Sequence, residues 1–305
     1  MGSEMCIRDR YPFNHGTAGR APWFGTACCP SNMARLLPQV QGMTYAHDDE
    51  NLYLALYAQT STSLSIAGTD LSIYQKTNYP NDGRIEITLN PKESKAFKLH
   101  LRIPTWTGKQ FVPGKLYRYI NPVESKWQIT VNGKIVPADI KKGFAVLNRK
   151  WKTGDQVILD MPMPLRLNEC DQRVEENLNR LAFTRGPFVL CAEEVDNGGA
   201  TQRFFLNEVP EVRKADLSLV ALPAGSFLRI DSESNAVTES GGQEKRKLSL
   251  IPYYAWNNRK YGSMTIWFPT KPELAVFDPH KLPKESIFTS LQASHTSELD
   301  TLNAI

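Results

Sequence analysis

The sequence predicts a mainly β protein in which two antiparallel β-sandwich domains follow a short helical segment. After about residue 50, apolar and polar residues alternate in many short stretches, as they do in half-buried strands. Turn residues separate these stretches and no helical repeat intervenes, which favours antiparallel sandwiches. The 305 residues are enough for about two domains, and 41% hydrophobic with 22% charged residues is ordinary for a soluble globular protein.

The helical segment comes directly after two adjacent cysteines. Its apolar residues are spaced i, i+3, i+4 and i+7, and they are Met33, Leu36, Leu37 and Val40. Pro30 and Ser31 suit the first positions of such a helix, so we expect it to begin at about Ser31. Pro38 should kink or end it, because proline cannot donate the hydrogen bond of a helix interior.

Cys28 and Cys29 therefore lie at or just ahead of a helix N-terminus. Free backbone amides and the positive end of the helix dipole favour a thiolate there. A thiolate is the form of cysteine that attacks carbon and binds zinc. Two simpler interpretations stay open, because free cysteine is often a small buried hydrophobe and a Cys-Cys pair alone has no metal-site spacing.

The first sandwich is predicted over residues 51–165. Its period-two stretches are Leu52/Leu54/Leu56, Leu64/Ile66, Ile85/Ile87/Leu89, Leu99/Leu101/Ile103 and Val157/Leu159/Met161. Asn132 and Gly133 stand between β-branched runs, which is the strongest short signal of a β-hairpin. Pro162 and Pro164 should close this domain, because proline cannot donate to the ladder of a central strand.

The second sandwich is predicted over residues 166–270. Its strand-like stretches are Leu181–Phe183, Phe188–Leu190, Leu217–Val220 and Ser263–Phe268. A Ser-, Glu- and Gly-rich stretch from Asp231 to Gly242 predicts a loop between two of these strands. We interpret residues 271–305 as a linker and the start of an incomplete further module. Residues 1–10 have no strand or helix period, and we interpret them as a non-native remnant.

Charge and composition exclude several function classes. The net charge is +4, and the one compact basic cluster is Lys245–Lys247. This cluster is so short that a solvated turn explains it better than nucleic-acid binding does. No run approaches the roughly 18 apolar residues of a membrane span. We therefore expect no nucleic-acid partner and no membrane partner. The five cysteines are too widely spread for a disulfide framework.

Other candidate residues have simpler structural explanations. Two acidic runs, Asp48–Glu50 and Glu193–Glu194, could supply paired carboxylates for acid–base chemistry, but solvated turns explain both more simply. The five histidines, His15, His47, His100, His280 and His295, have no spacing that indicates a shared metal. The aromatic residues that could stack on sugars are Trp106, Trp127 and Tyr253–Trp256, for which core packing is the default. Cys170 and Cys191 are most simply buried strand or strand-edge residues.

The stretch Phe24–Asn32, with Cys28-Cys29-Pro30 inside it, resembles the Cys-Cys-Pro motif of glycoside hydrolase family 127, the β-L-arabinofuranosidases. Further motifs follow in the order of that family, and they are Leu101–Trp106, Val131–Gly133, Gly154–Pro164, Thr184–Pro187, Cys191–Glu193 and Ile251–Arg259. The resemblance spans about Tyr11 to Pro269. Several separate motifs in the right order are more specific than any one of them.

The resemblance implies an architecture and a chemistry. Members of the family have an N-terminal (α/α)6 barrel that houses the active site, followed by two β-sandwiches. Residues 11–50 would then be the C-terminal end of the barrel, and the missing remainder of the barrel would belong to the same polypeptide upstream. The substrate class would be an L-arabinofuranoside or a related glycan, hydrolysed with retention of configuration.

The resemblance also assigns roles to the two cysteines. Cys28 would be the nucleophile, and Cys28 and Cys29 would both be ligands of Zn²⁺. The remaining ligands, a cysteine and a glutamate, and the acid–base glutamate would all lie upstream. Thr26 stands where some members carry a further cysteine. That cysteine is not counted as a zinc ligand, so its absence here does not change the implied zinc site. With an incomplete zinc site and no acid–base partner, the isolated chain should be inactive.

Two other function classes stay open. The chain could be a carbohydrate-binding or spacer pair of sandwiches in which the cysteine pair is vestigial, and sugar binding should then depend on an aromatic residue such as Trp256. It could instead be a module that docks a partner domain, which predicts a large apolar patch. A glycosidase fragment that lacks its barrel would expose such a patch too, so the patch alone does not distinguish a docking module from a glycosidase fragment.

Overall fold

The structure is a computed structural model that describes residues 28–120, 126–207, 216–222, 225–260 and 262–277. The side chains of residues 28–30 lie outside the described part, although the backbone there is helical. The predicted remnant at residues 1–10, the residues before Cys28 and the stretch 278–305 also lie outside the described residues.

The helical segment begins at the cysteine pair and changes form at a proline. Helix α1 (Cys28–Leu36) is followed by a 3₁₀ helix (Leu37–Met43) that has Pro38 in its first turn. The predicted effect of Pro38 is therefore confirmed, because the α-helix ends before it. The α-helix begins about one turn earlier than the Ser31 start that the sequence predicts, and within its described part its apolar residues are exposed.

Within residues 45–120 and 126–160, the structure describes twelve strands and one short 3₁₀ helix (Thr105–Thr107). The strands are β1 (Tyr45–His47), β2 (Asn51–Leu54), β3 (Thr60–Ile66), β4 (Thr69–Thr77), β5 (Arg84–Pro91), β6 (Lys95–Arg102), β7 (Tyr117–Tyr119), β8 (Gln128–Val131), β9 (Lys134–Ile135), β10 (Asp139–Lys141), β11 (Phe144–Trp151) and β12 (Asp155–Asp160). All of them except β7 make up the part of the molecule that we call the first unit.

The first unit is a sandwich of two sheets. One sheet has the strand order β1-β2-β6-β11-β10 and the other has the order β3-β4-β5-β12-β8-β9. The pairs are antiparallel except for β2 and β6, which run parallel. Every second residue of β4 and β5 is buried, so Ile73, Ile85 and Ile87 meet Leu99 and Leu101 of the opposite sheet in one core. The period-two prediction for Ile85/Ile87/Leu89 in β5 is confirmed.

The Asn-Gly hairpin is confirmed as well. Asn132 and Gly133 connect β8 to β9 with φ angles of +50° and +78°. Two successive positive φ angles define the type I′ turn, whose twist matches that of the paired strands.

The described residues between 165 and 269 form nine further strands. They are β13 (Leu165–Cys170), β14 (Arg180–Arg185), β15 (Phe188–Glu193), β16 (Phe204–Phe205), β17 (Asp216–Leu222), β18 (Gly225–Val237), β19 (Gln243–Pro252), β20 (Met264–Thr265) and β21 (Trp267–Pro269). Helix α2 (Glu194–Asn197) follows β15, and short 3₁₀ helices occupy Glu175–Asn177, Thr201–Arg203, Tyr253–Ala255 and Pro272–Leu274. Together with β7, these elements make up the second unit.

The second unit is built from one ten-stranded antiparallel sheet, with the order β16-β18-β19-β15-β14-β13-β7 and three short or edge strands beside it. Leu167 of β13 and Phe183 of β14 share a core with Ile230 of β18 and Leu250 of β19. Strands that are far apart in the order therefore face one another, so the sheet folds back on itself and encloses its core as a sandwich does. Strand β7 joins this sheet through β13, although it precedes β8 in the chain.

The predicted loop from Asp231 to Gly242 is wrong. Most of this stretch lies in β18, which pairs with β19 from Ile230 to Val237, and the turn is confined to the residues between the two strands. The basic cluster Lys245–Lys247, which the sequence places in a solvated turn, lies in β19 with Lys247 opposite Glu233. The buried face of β18 in this stretch carries the small residues Ser234 and Ala236, so the composition of the hairpin resembles that of a loop.

Among the described residues, the helices are all too short or too polar to cross a membrane.

Candidate functional site

The candidate catalytic segment is the start of α1. The backbone of Cys28 and Cys29 forms the first turn of this helix. Backbone N–H groups in the first turn have no partner within the helix, and the helix dipole places positive potential there. The predicted position of both residues at a helix N-terminus is confirmed, and it is a position that lowers the pKa of cysteine thiols in general.

The apolar face of α1 and the following 3₁₀ helix has no cover in the described part of the molecule. Its side chains are 38–62% exposed, and they are Met33, Leu36, Leu37, Val40 and Met43. Exposed apolar residues that are contiguous on one helix usually mark a surface that another segment covers. The helix that carries Cys28 therefore presents an exposed apolar face to its surroundings.

A complete metal site is absent from the described residues. No group of three or more His, Cys, Asp or Glu side chains among them is arranged to hold a metal ion. His47 is exposed on β1. His100 is buried, its Nε2 lies 3.0 Å from Asn51 Oδ1, and its ring stacks on Tyr53 at 4.1 Å. Burial, with a smaller effect of Lys98, lowers the pKa of His100, which fits a neutral structural imidazole.

Glu193 is not in a solvated turn, which corrects the sequence interpretation. It is fully buried at the end of β15, and its Oε2 accepts a hydrogen bond from Arg259 Nη2 at 2.5 Å. Its Oε1 accepts one from the backbone N–H of Asn257 at 2.8 Å. Arg259 Nη1 also donates to Asp196 Oδ1 at 2.8 Å, and Nη2 donates to Asp196 Oδ2. A single guanidinium thus joins two carboxylates inside the second unit.

This ion cluster has no feature of a catalytic acid–base pair. Hydrogen bonds to Asp196, and then those to Glu193, outweigh burial and raise the pKa of Arg259. The guanidinium also lies over the Phe227 ring at 5.1 Å, which closes it off on that side. Catalytic carboxylates need access to substrate, whereas these side chains are enclosed by the protein. The cluster is structural. The other acidic run, Asp48–Glu50, is exposed as the sequence predicts.

The aromatic candidates divide into buried and exposed residues. Trp256 is 2% exposed and Trp106 is 7% exposed, so both belong to cores, as the default interpretation predicts. Tyr254 is 53% exposed and its ring lies 5.6 Å from that of Phe188. A sugar-stacking role for Trp256 is therefore excluded by its burial.

Cys170 and Cys191 are strand residues, as the sequence predicts. Cys191 is buried in β15, and Cys170 is partly buried at the end of β13. Neither is in a disulfide among the described residues. Partial burial raises the pKa of the Cys170 thiol, with a smaller opposing hydrogen bond, so this residue favours the protonated form. Neither residue has the surroundings of a nucleophile.

Comparison with known proteins gives consistent matches. Residues 51–163 match the family model described as "Beta-L-arabinofuranosidase, GH127 middle domain", and residues 165–269 match "Glycoside hydrolase family 127 C-terminal domain". A non-reducing end β-L-arabinofuranosidase from Bifidobacterium longum subsp. longum is 27% identical over 270 residues, which are 83% of this chain and 38% of that protein.

Solved structures of similar proteins agree. A structure described as a GH127 β-arabinofuranosidase superposes with a TM-score of 0.79 and 32% identity, over 87% of this chain and 42% of that one. A GH127 β-L-arabinofuranosidase from Geobacillus stearothermophilus T6 superposes with a TM-score of 0.70 and 33% identity, over 89% of this chain and 41% of that one. The chain thus spans about two fifths of the length of these relatives.

Proposed function

Because the chain belongs to glycoside hydrolase family 127, of which it carries the middle and C-terminal domains, we propose that it is part of a retaining glycosidase that acts on β-L-arabinofuranosides. The proposal depends on one observation above all, the position of Cys28-Cys29-Pro30 in the first turn of α1. The names of the relatives supply the substrate class, since they are β-L-arabinofuranosidases.

In this proposal Cys28 is the nucleophile. Its thiolate attacks the anomeric carbon, an acid–base glutamate from upstream would protonate the leaving-group oxygen as its bond to carbon breaks, and a covalent glycosyl–sulfur intermediate forms. Water then attacks the same carbon and gives its proton to that glutamate, the carbon–sulfur bond breaks and the thiolate returns, so that two inversions give net retention. The free N–H groups and dipole of α1 stabilise the sulfur anion before attack and after release. A retaining glycosidase usually assigns this role to a carboxylate, which sulfur would replace here.

Zinc fits the chemistry of the donor set, although the two cysteines would supply only part of a site. Cys28 and Cys29 would offer two thiolate sulfurs, which are ligands that zinc prefers. When bound, zinc would keep both thiols deprotonated at neutral pH. We propose that the remaining ligands and the acid–base glutamate come from a barrel segment that precedes Cys28 in a longer polypeptide. The exposed apolar face of α1 supports this, because such a barrel would cover it.

The test uses a longer polypeptide in which a barrel precedes this sequence. Cys28→Ser should reduce hydrolysis of an aryl β-L-arabinofuranoside by at least about 10³-fold, a loss typical of removing a covalent nucleophile. Mass spectrometry of the unsubstituted enzyme, quenched with acid during turnover, should find a pentosyl group on Cys28. The matched control is Cys191→Ser, a buried cysteine in the second unit, which should leave kcat nearly unchanged. Full activity of the Cys28→Ser enzyme would refute the proposal.

The 305-residue chain itself should be inactive on the same substrate, because two thiols alone hold zinc weakly and no acid–base group accompanies them. Robust turnover by this chain would show that the catalytic residues have been misplaced. Zinc content measured on the chain and on its Cys29→Ser variant checks the ligand assignment, and the variant should retain less metal.

A further inference from the structure

A cleft of about 640 Å³ opens where the first unit meets the second. Its floor is the outward face of the six-stranded sheet, with Lys76 of β4, Arg84 and Glu86 of β5, and Asp160 of β12. Its other wall is the connection after β12 and the side chain of Arg185 from β14. None of its lining residues belongs to the segment 28–47.

The register of the sheet fixes the order of charges on the floor. Lys76 lies directly opposite Glu86 across β4 and β5, and Asp160 lies directly opposite Arg84 across β12 and β5. Arg84 Nε also donates to Glu86 Oε1 at 2.9 Å. Hydrogen-bond donors and acceptors therefore alternate within a few ångströms of one another, on a surface that the strand pairing holds rigid.

The opposite wall is held by contacts that cross from one unit to the other. Arg185 Nη1 donates to the carbonyl oxygen of Asn81 at 2.8 Å. Gly186, in the turn after β14, lies so close to Met163 that an added Cβ would be 2.6 Å from its Sδ. On the floor side, Met161 N donates to the Gly83 carbonyl oxygen at 2.9 Å. The cleft is thus a fixed feature of the junction.

The charges of the lining residues balance. The cations are Lys76, Arg84 and Arg185, and the carboxylates are Asp82, Glu86 and Asp160. A balanced lining gives no net attraction to a highly charged ligand. It instead offers donors and acceptors side by side, which suits hydroxyl groups, because each hydroxyl both donates and accepts. Met161, Pro162 and Met163 add an apolar surface on one side.

We propose that this cleft binds a short neutral oligosaccharide. The volume lies within the range of roughly 300–1,000 Å³ that small-ligand sites occupy. A sugar presents vicinal hydroxyls at its edge and C–H groups on its face, which match the charged floor and the methionine wall respectively. The glycan nature of the ligand rests on the proposed function, whereas the position of the site and its preference for a neutral ligand rest on the cleft itself.

Isothermal titration calorimetry on the 305-residue chain tests the proposal. The probes are arabinotriose and maltotriose as neutral trisaccharides and trigalacturonate as a charged one of equal length. We expect saturable binding of at least one neutral trisaccharide and none of trigalacturonate. Lys76→Met and Glu86→Gln should each raise the Kd by about tenfold, which is the loss expected for one hydrogen bond to a charged group.

Two substitutions outside the cleft serve as matched controls. Lys134→Met and Glu93→Gln change exposed residues of the same unit that do not line the cleft, and they should leave the Kd unchanged. Absence of binding by both neutral trisaccharides, tighter binding of trigalacturonate, or an unchanged Kd in both cleft variants would each overturn the proposal. Failure of the proposed function would appear elsewhere, as undiminished hydrolysis by the Cys28→Ser enzyme.

Discussion

The two units differ in how their interiors hold charge. In the first unit the buried carboxylate of Asp155 is satisfied by neutral hydrogen-bond donors, with Asn132 Nδ2 at 2.9 Å from Oδ1 and the backbone N–H of Lys152 at 2.9 Å from Oδ2. In the second unit the buried carboxylate of Glu193 shares the Arg259 guanidinium with Asp196.

The difference lies in what each carboxylate joins. Asp155 ties together two turns at the rim of the sandwich, and its donors come from the adjacent turn and the Asn-Gly hairpin. Arg259 is 66 residues from Glu193 in the chain, so the ion pair joins the end of β15 to the segment after β19. Removing one member of such a cluster leaves buried charge without a partner. The second unit should therefore depend on charge pairing more than the first does. The first unit should depend on steric fit at Gly83, where an added Cβ would lie 1.8 Å from the carbonyl oxygen of Met161.

The largest effect is expected from Arg259→Met. This substitution leaves Glu193 and Asp196 buried without a cation, which should lower the free energy of unfolding of the second unit by about 3–5 kcal/mol. Hydrogen exchange measured by mass spectrometry resolves the two units. Exchange should accelerate in β15 and β19 and stay unchanged in β4 and β5.

The control for Arg259 is Arg118→Met in the same unit. Arg118 pairs with Glu169 at 2.6 Å, but its side chain is 77% exposed, and pairs of this kind contribute little. Its free energy of unfolding should change by less than about 0.5 kcal/mol. Equal acceleration of exchange in both units by Arg259→Met would contradict the comparison, because it would mean that the units unfold together.

Much of the fold could be predicted because strands of the first unit, such as β4 and β5, bury one face and expose the other to solvent. Ile85 and Ile87 alternate with outward residues, so the strand period is visible in the sequence. The sequence does not reveal the β18–β19 hairpin, because the buried face of β18 there carries the small residues Ser234 and Ala236 and shows no period of large apolar residues. The two strands are specified by pairing across the hairpin, for example Glu233 opposite Lys247. Amino-acid composition alone cannot distinguish such a polar hairpin from a loop.

The candidate site could be predicted only in part. The place of Cys28 at a helix N-terminus follows from the apolar spacing of the helix and the proline beside the cysteines, and both signals are local. The burial of Glu193 could not be foreseen, since its partner Arg259 is distant in sequence and nothing near Glu193 indicates a cation. The cleft could not be predicted for the same reason, because it forms where the β4–β5 connection meets β14 through Asn81 and Arg185.

A smaller effect is expected from Gly83→Ala, which tests the steric half of the comparison. A Cβ at Gly83 would lie 1.8 Å from the carbonyl oxygen of Met161, so the backbone must move. We expect the free energy of unfolding of the first unit to fall by about 1–3 kcal/mol, the usual cost of overpacking. Gly42→Ala, where an added Cβ meets nothing within 4 Å, is the matched control and should be close to neutral. Chemical denaturation followed by circular dichroism measures both.

The smallest effect is expected from Asp231→Asn, which tests how the stability of the second unit depends on pH. Partial burial opposes ionisation of Asp231, but hydrogen bonds from Arg229, Lys247 and Ser249 prevail and lower its pKa to about 2. Because the folded-state pKa is below the unfolded value, this carboxylate stabilises the fold above about pH 4, and its contribution is lost as the pH falls towards about 2. The free energy of unfolding of Asp231→Asn should therefore be about 1 kcal/mol below wild type at pH 7, because solvent screens a partly exposed carboxylate. The difference should shrink steadily between about pH 4 and pH 2. A difference that stays constant over this range would mean that the ionised carboxylate does not stabilise the second unit, and the contrast between the units would then rest on the Arg259 cluster alone.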